Sequence, residues 1–345
     1  MKTVTIHGNR ARSNILIGER LENLYQYIQG SRPIIITDVN VQKICPMDSM
    51  PGDIITIGIG EKIKTLKTVR DIYTQLVTLG ADRSSFIVGI GGGIVCDIAG
   101  FVASTFMRGV RFGFVATTLL AQVDASVGGK NGVNFNGYKN MIGVFNQPEF
   151  VICDLDLLKT LSEKEILCGI AEIVKHAAIG DIDLFAFLEQ HHEKVRALDG
   201  QTIERLVLDS VTLKSSIVSR DETERGERRI LNFGHTFGHA LEKVRGVPHG
   251  EAVSIGITIA SSLSVKRGLL AVEDEQRILS LMNHLKLPIR IEFEHEQIFD
   301  ALKKDKKRES NFINFVLLDR IGKAIVEKIS LDELKDAIDE KVKPK

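Results

Sequence analysis

The chain has 345 residues, and its 45 basic and 45 acidic side chains cancel, which argues against nucleic acid as the main partner while leaving room for a locally basic pocket. Its length suggests two domains, and 43% hydrophobic and 26% charged residues are the proportions of a soluble globular protein rather than a disordered or membrane-embedded one. The four cysteines (Cys45, Cys96, Cys153, Cys168) are scattered with no CxxC, so they read as buried thiols in a reducing compartment.

The N-terminus, MKTVTIHGNRARSN, lacks the apolar core of a signal peptide. From there to about residue 154, strand-like runs alternate with amphipathic helical ones. The strands are expected at 14–17, 33–37, 53–57, 86–88, 111–116 and 150–153, and helices at 19–28, 65–79 and 95–106. Such alternation predicts a parallel sheet covered by helices. Of the 30 glycines, 19 fall in the first 155 residues, as turns between strands and helices require. Residues 1–155 are therefore assigned to an α/β domain with a parallel sheet.

After residue 155 the pattern becomes helical, with helices expected at 162–178, 182–191, 202–219, 232–244, 251–267 and 273–284. The weakly polar run 252–265 holds four serines and is too short to span a bilayer, so it reads as a buried helix. No membrane contact and a cytoplasmic location are expected. A charged stretch, 303–309, precedes strand-like runs at 312–318 and 323–329. Eight of the nine histidines lie in this second part, 156–345, which is assigned to a mainly α-helical, metal-bearing domain with a functional site in the cleft between the two.

Two stretches carry chemistry. Residues 86–97, FIVGIGGGIVCD, form a strand, a glycine loop and a helix start, the arrangement that lets backbone N–H groups approach a pyrophosphate. A tight turn is the plain alternative. Asp38, at the end of an earlier strand, suits an adenosine ribose, but its place before the glycines is not that of a standard dinucleotide fold. The loops at 117–124 and 127–134 are polar; Lys130 in a glycine turn suits an anion and equally suits a solvated surface.

The second stretch is 232–251, NFGHTFGHALEKVRGVPHGE. His235 and His239 are four apart on one helix face, and His249 follows a Gly–Val–Pro break where a new helix starts. Imidazoles from two elements converging on one point hold a divalent metal; a lone histidine on such a face is more commonly a core residue or cap. Glu172 interrupts an apolar helical run and needs a cation or metal if buried. Two histidines, one glutamate and an open fourth position describe a catalytic zinc rather than a structural one.

Taken together, GEKIK (60–64), GGGIVCD (91–97), MRGV (107–110), TTLLAQVDASVGGKNGVN (117–134), KNMIGVF (139–145), AEIVKH (171–176), RDETERGERRILNFGHTFGHALE (220–242), HGEAVSIG (249–256) and DKK (305–307) resemble the 3-dehydroquinate synthase family of sugar-phosphate cyclases. The resemblance implies a Rossmann-like domain followed by a helical metal-binding one. The substrate it implies is a phosphorylated sugar acid, 3-deoxy-D-arabino-heptulosonate 7-phosphate. In that reaction NAD+ oxidises an alcohol, phosphate is eliminated, the ketone is reduced back, and the ring opens and recloses.

The metal it implies is Zn2+, with Co2+ able to substitute, held by Glu172, His235 and His249. His239 and Glu224 match proton-transfer positions. Arg108, Asp124, Lys130, Asn140, Lys175, Lys214, Arg228, Asn232, Lys306 and Lys307 match positions around the substrate, where Arg and Lys clamp phosphate and carboxylate. The Lys306–Lys307 pair falls in a stretch of variable length. Asp38, Asn40, Glu61, Lys64, Gly92, Gly93, Asp97, Thr117, Thr118, Lys139 and Thr160 match NAD contacts. Arg108 reaches in from a partner subunit in this family, which implies a homodimer. His176, four residues after Glu172, has no matching role and is expected to pack. Two other enzyme classes share the architecture: cyclases forming 2-deoxy-scyllo-inosose or valiolone-type rings, and metal-dependent glycerol and alcohol dehydrogenases.

Overall fold

Three consecutive isoleucines, Ile34, Ile35 and Ile36, are wholly buried, as expected of a parallel strand covered on both faces. They form the middle of β3 (Pro33–Asp38), near one side of a seven-stranded sheet. The computed structural model describes residues 1–8, 12–28, 30–45, 50–292, 294–303, 308–309 and 312–342. It divides into two compact units, Met1–Ile166 with Lys214–Thr223, and Leu167–Leu213 with Glu224–Lys345.

In the first unit the other strands are β1 (Lys2–His7), β2 (Arg12–Ile17), β4 (Asp53–Ile57), β5 (Phe86–Gly91), β6 (Arg111–Ala116), β7 (Lys130–Phe135), β8 (Tyr138–Phe145) and β9 (Phe150–Cys153). The sheet order is β1-β2-β9-β6-β5-β3-β4, parallel except for β1, which pairs antiparallel with β2. All six strands expected from the sequence are in it. β1 was not expected; it is an edge strand with a polar outer face. The helices of this unit are α1 (Val41–Ile44), α2 (Leu66–Thr78) and α3 (Gly93–Thr105). The helix expected at 19–28 is a 3-10 turn, Leu21–Tyr27, whose Leu21 and Leu24 pack with Leu16, Ile35, Phe86 and Phe150.

After β3 the chain adds β4 on one side, and β5 then returns to the other side of β3. The strand order therefore reverses between β3 and β5. In open α/β sheets such a switch opens a crevice beyond the carboxyl ends of the strands. Asp38 ends β3 and the triple glycine ends β5, so both stand at that point.

The second unit is built on α4 (Glu163–Gly180), α5 (Ile182–Arg196), α6 (Gly200–Arg220), α7 (His235–Arg245), α8 (His249–Lys266), α9 (Val272–His284), α10 (His295–Lys303) and α11 (Leu331–Val342). The terminal strands β10 (Arg308–Glu309), β11 (Phe312–Arg320) and β12 (Lys323–Ser330) form an antiparallel sheet. α8 is buried along nearly its whole length, and two of its hydroxyls donate to backbone carbonyls: Ser254 Oγ to Pro288 O (2.6 Å) and Ser264 Oγ to Ala260 O (2.7 Å). It is the buried helix that its apolar run implied. The fold is thus a parallel-sheet α/β unit and a mainly helical one. Among the described residues no helix is long and apolar enough to cross a membrane. The four cysteines are buried and in no disulfide, and burial pushes the Cys45 thiol up to about 11.

Candidate metal centre and glycine-loop site

Three helices of the second unit each bring one side chain that could ligate a metal to a single point. Glu172 lies in the middle of α4 and is fully buried. His235 is the first residue of α7, released from the preceding 3-10 turn (Glu227–Asn232) by Gly234 in the left-handed conformation, φ 76°. α7 ends on a second left-handed glycine, Gly246, and Pro248 then caps α8, whose first residue is His249. Glu172 Oε1 is 3.1 Å from His249 Nε2 and 3.4 Å from His235 Nε2. One ligand atom from each of the three residues lies within 4.8 Å of the others.

The far side of each ring fixes its tautomer. His235 Nδ1 is 3.1 Å from Phe233 O, and a carbonyl only accepts, so Nδ1 carries a hydrogen and Nε2 is the nitrogen left to face an ion. His249 Nδ1 is 3.1 Å from Glu242 Oε1, with the same consequence. Burial resists a charge on His249, but the bonds to Glu172 and Glu242 outweigh it and push its pKa up to about 10. A divalent ion would take the place of that extra proton. Two imidazole nitrogens and one carboxylate oxygen, with a coordination position left open, are the donor set of a catalytic zinc, so the residues suit such an ion.

His239 is exposed, with its ring edge-on to His235 at 5.3 Å, and does not belong to the converging set. Lys175, buried like Glu172, forms an ion pair with it. Asn232 Nδ2 donates to Glu224 Oε1, and Arg228, in the same 3-10 turn, is 1% exposed. Glu224 itself has a positive φ of 59°. His176 is buried with Nδ1 2.7 Å from Ser210 Oγ. Glu242 had no role in the sequence reading. Its signal was present, since it stands seven residues after His235 and so on the same helix face two turns on.

In the first unit, Gly92 caps α3 and Gly93 begins it. Lys64 Nζ donates to Asp97 on α3 and, at 2.6 Å, to Asn140 Oδ1 on β8. Burial raises the Asp97 carboxyl against the pull of Lys64. Asn140, expected at the substrate, therefore stands with two residues expected at the dinucleotide. Glu61 Oε1 accepts from Asn134 Nδ2 (2.7 Å), which ties the Glu61–Lys64 turn to the same hairpin. Asp38 Oδ1 accepts from the amides of Asn40 (2.8 Å) and Val41 (3.0 Å), a local turn that orients the carboxylate at the end of β3.

Thr117 N donates to Gly91 O (3.0 Å), and Thr118 Oγ1 accepts from Ala121 N (3.1 Å), so the loop after β6 lies against the glycines. Lys214, which belongs to this unit, donates to Asp124 O (2.6 Å) and Oδ1 (2.7 Å). Lys130, Lys139 and Thr160 are exposed, the last donating to Leu157 O (2.7 Å). Arg108 is exposed with a φ of 68°. Lys306 and Lys307 lie outside the described residues.

Comparison with known proteins accounts for nearly the whole chain. Residues 54–168 match the family model for the 3-dehydroquinate synthase N-terminal domain, and 169–308 that for its C-terminal domain. A 3-dehydroquinate synthase from Dehalococcoides mccartyi is 39% identical over 342 residues, covering 94% of this chain and 95% of that one. Among solved structures, 2-deoxy-scyllo-inosose synthase complexed with carbaglucose-6-phosphate, NAD+ and Co2+ superposes with a TM-score of 0.90 at 26% identity, covering 99% of this chain and all of that one. A 2-epi-5-epi-valiolone synthase from Streptomyces hygroscopicus, with NAD+ and Zn2+ bound, gives 0.87 at 25% identity and 99% of both chains. On the strength of the two domain matches and the near full-length identity, the chain belongs to the 3-dehydroquinate synthase family.

Proposed function

We propose that the protein is a carbon–oxygen lyase that converts 3-deoxy-D-arabino-heptulosonate 7-phosphate to 3-dehydroquinate and phosphate. The observation that carries the reading is the convergence of Glu172, His235 and His249 in a chain of this family. When bound, NAD+ accepts and returns a hydride, and the divalent ion polarises the reacting hydroxyl. Glu172, His235 and His249 hold that ion, Zn2+ or Co2+. Lys175 neutralises Glu172 within the buried centre.

His239 and Glu224 move protons, with Asn232 fixing the Glu224 carboxylate. Arg228, Lys130, Lys214, Asp124 and the Lys306–Lys307 pair bind the substrate's anionic and hydroxyl groups. Gly92 and Gly93 take the pyrophosphate and Asp38 with Asn40 the ribose, at the point where the strand order reverses. Glu61, Lys64, Asp97, Thr117, Thr118, Lys139 and Thr160 complete the dinucleotide contacts. Residues 1–155 are assigned to the dinucleotide and 156–345 to metal and substrate. The reaction is placed in the cytoplasm, supported by four cysteines that form no disulfide.

With the heptulosonate phosphate, Zn2+ and a limiting amount of NAD+, phosphate release exceeds the NAD+ supplied many times over and no NADH absorbance persists. Stoichiometric NADH would move the protein to the dehydrogenases. Turnover of a neutral sugar phosphate instead of the acid would move it to the other cyclases. Identity favours the acid, at 39% against 26% and 25%.

The protein is also proposed to work as a homodimer in which Arg108 serves the partner's site. A positive φ at both Met107 and Arg108 holds this turn in a conformation uncommon for non-glycine residues. Mixing inactive Arg108→Ala with inactive His239→Ala protein under conditions of subunit exchange restores part of the activity. Exchange without recovery would refute the trans arrangement.

A further inference from the structure

We infer that Glu242 is a positioning residue: its carboxylate holds the Nδ1–H of His249 and so aims that ring's Nε2 at the point shared with Glu172 and His235. The inference rests on the metal reading above. The three ligands are not equally constrained. The Glu172 side chain is wholly buried and that of His235 10% exposed, whereas that of His249 is 27% exposed. His235 is anchored by a backbone carbonyl two residues away, which no side-chain change removes. His249 sits at the start of α8 just after the Gly246–Pro248 turn, and its Nδ1 anchor is a side chain on another helix. A ring on a helix terminus keeps its orientation only if something holds the nitrogen that does not face the metal.

The place of Glu242 within α7 points the same way. It lies in the last turn, where the carbonyl end of the helix favours cations, and its neighbours Lys243 and Arg245 follow that rule. Its side chain is only 5% exposed. A carboxylate in that position is unfavourable for the helix by itself, and the bond to His249 at 3.1 Å offsets the cost. A carboxylate acceptor also makes the opposite nitrogen a stronger donor than a neutral carbonyl does.

The test compares Zn2+ affinity, by chelator competition, and the visible spectrum of the Co2+-loaded protein in the parent, Glu242→Ala and Glu242→Gln. Alanine removes the acceptor, and its gain in helix propensity is set against the lost bond, so the metal-free variant keeps its fold, while Zn2+ affinity falls about 10–100-fold. Glutamine keeps an acceptor oxygen, and it recovers most of that affinity and the parent Co2+ spectrum. Glu242→Met, which keeps the volume without the acceptor, replaces the alanine variant if that does not fold. Parent affinity in the variants lacking an acceptor overturns the inference, and so does a glutamine variant as weak as the alanine one. A parent protein that takes up neither Zn2+ nor Co2+ overturns the metal reading itself and this inference with it.

Discussion

Replacing His235 with alanine is expected to remove metal and activity together, whereas His239→Ala is expected to keep its metal and its fold and to lose about 10²–10⁴-fold in turnover, the usual size of a general acid–base contribution. Both histidines lie on one face of α7, one turn apart, yet their surroundings differ. His235 is buried, with Nδ1 on a backbone carbonyl and Nε2 3.4 Å from Glu172. His239 is exposed and stands edge-on to the His235 ring. On the proposed ligand set, loss of His235 would leave two protein ligands, too few for a tightly held zinc. Metal content, melting temperature and turnover of the two purified variants decide between the roles. Zinc lost from His239→Ala but retained in His235→Ala would reverse them, and a His239→Ala protein with full activity but a lower melting temperature would reduce His239 to packing.

That distinction was beyond the sequence read on spacing alone, because positions i and i+4 on a helix are equivalent until something says where the helix starts. α7 starts at His235, not at Asn232, since Gly234 adopts a left-handed conformation and the residues before it form a 3-10 turn. The parallel strands were legible because runs such as Ile34–Ile36 have few other uses, and Glu172 was legible as the one acid in an apolar run.

The β7–β8 hairpin was missed. Lys130, Asn131, Asn134, Lys139 and Asn140 give it the composition of a loop, and in its two strands only Asn131, Gly132 and Val133 are buried. Its signal was Asn136–Gly137 between Phe135 and Tyr138, a two-residue turn with positive φ at both positions. The hairpin matters because it brings Asn140 to Lys64 and Asp97, a link between motifs that lie far apart in the chain. Glu242 went unassigned for a different reason: helix periodicity places it on the face of His235, but its partner, His249, is on another element, so the pairing itself is not read from one helix.

The same dependence on close helix packing makes two alanine substitutions severe. A Cβ on Gly250 would lie 2.3 Å from Cys168 Cα and 3.0 Å from Cys168 N, atoms that cannot rotate away. Cys168 is one turn before Glu172 on α4, and Gly250 follows His249, so α8 must back away by about 1 Å or more at the point where these two side chains of the proposed metal centre meet. A Cβ on Gly256 would come within 1.9 Å of Gly234 O, in the residue that launches α7 with His235 at its head. Overpacking of this kind costs about 1–3 kcal/mol, and a 1 Å misplacement of a catalytic geometry costs about 10²-fold in rate. Gly250→Ala and Gly256→Ala are therefore expected to melt several degrees lower, bind zinc more weakly and turn over about 10²-fold more slowly. Gly200→Ala provides the control. Its Cβ meets nothing within 4 Å at the start of α6, so its melting temperature stays level or rises, with metal binding unchanged. If Gly250→Ala matched Gly200→Ala in zinc affinity and melting temperature, α8 would not owe the position of His249 to its close approach to α4.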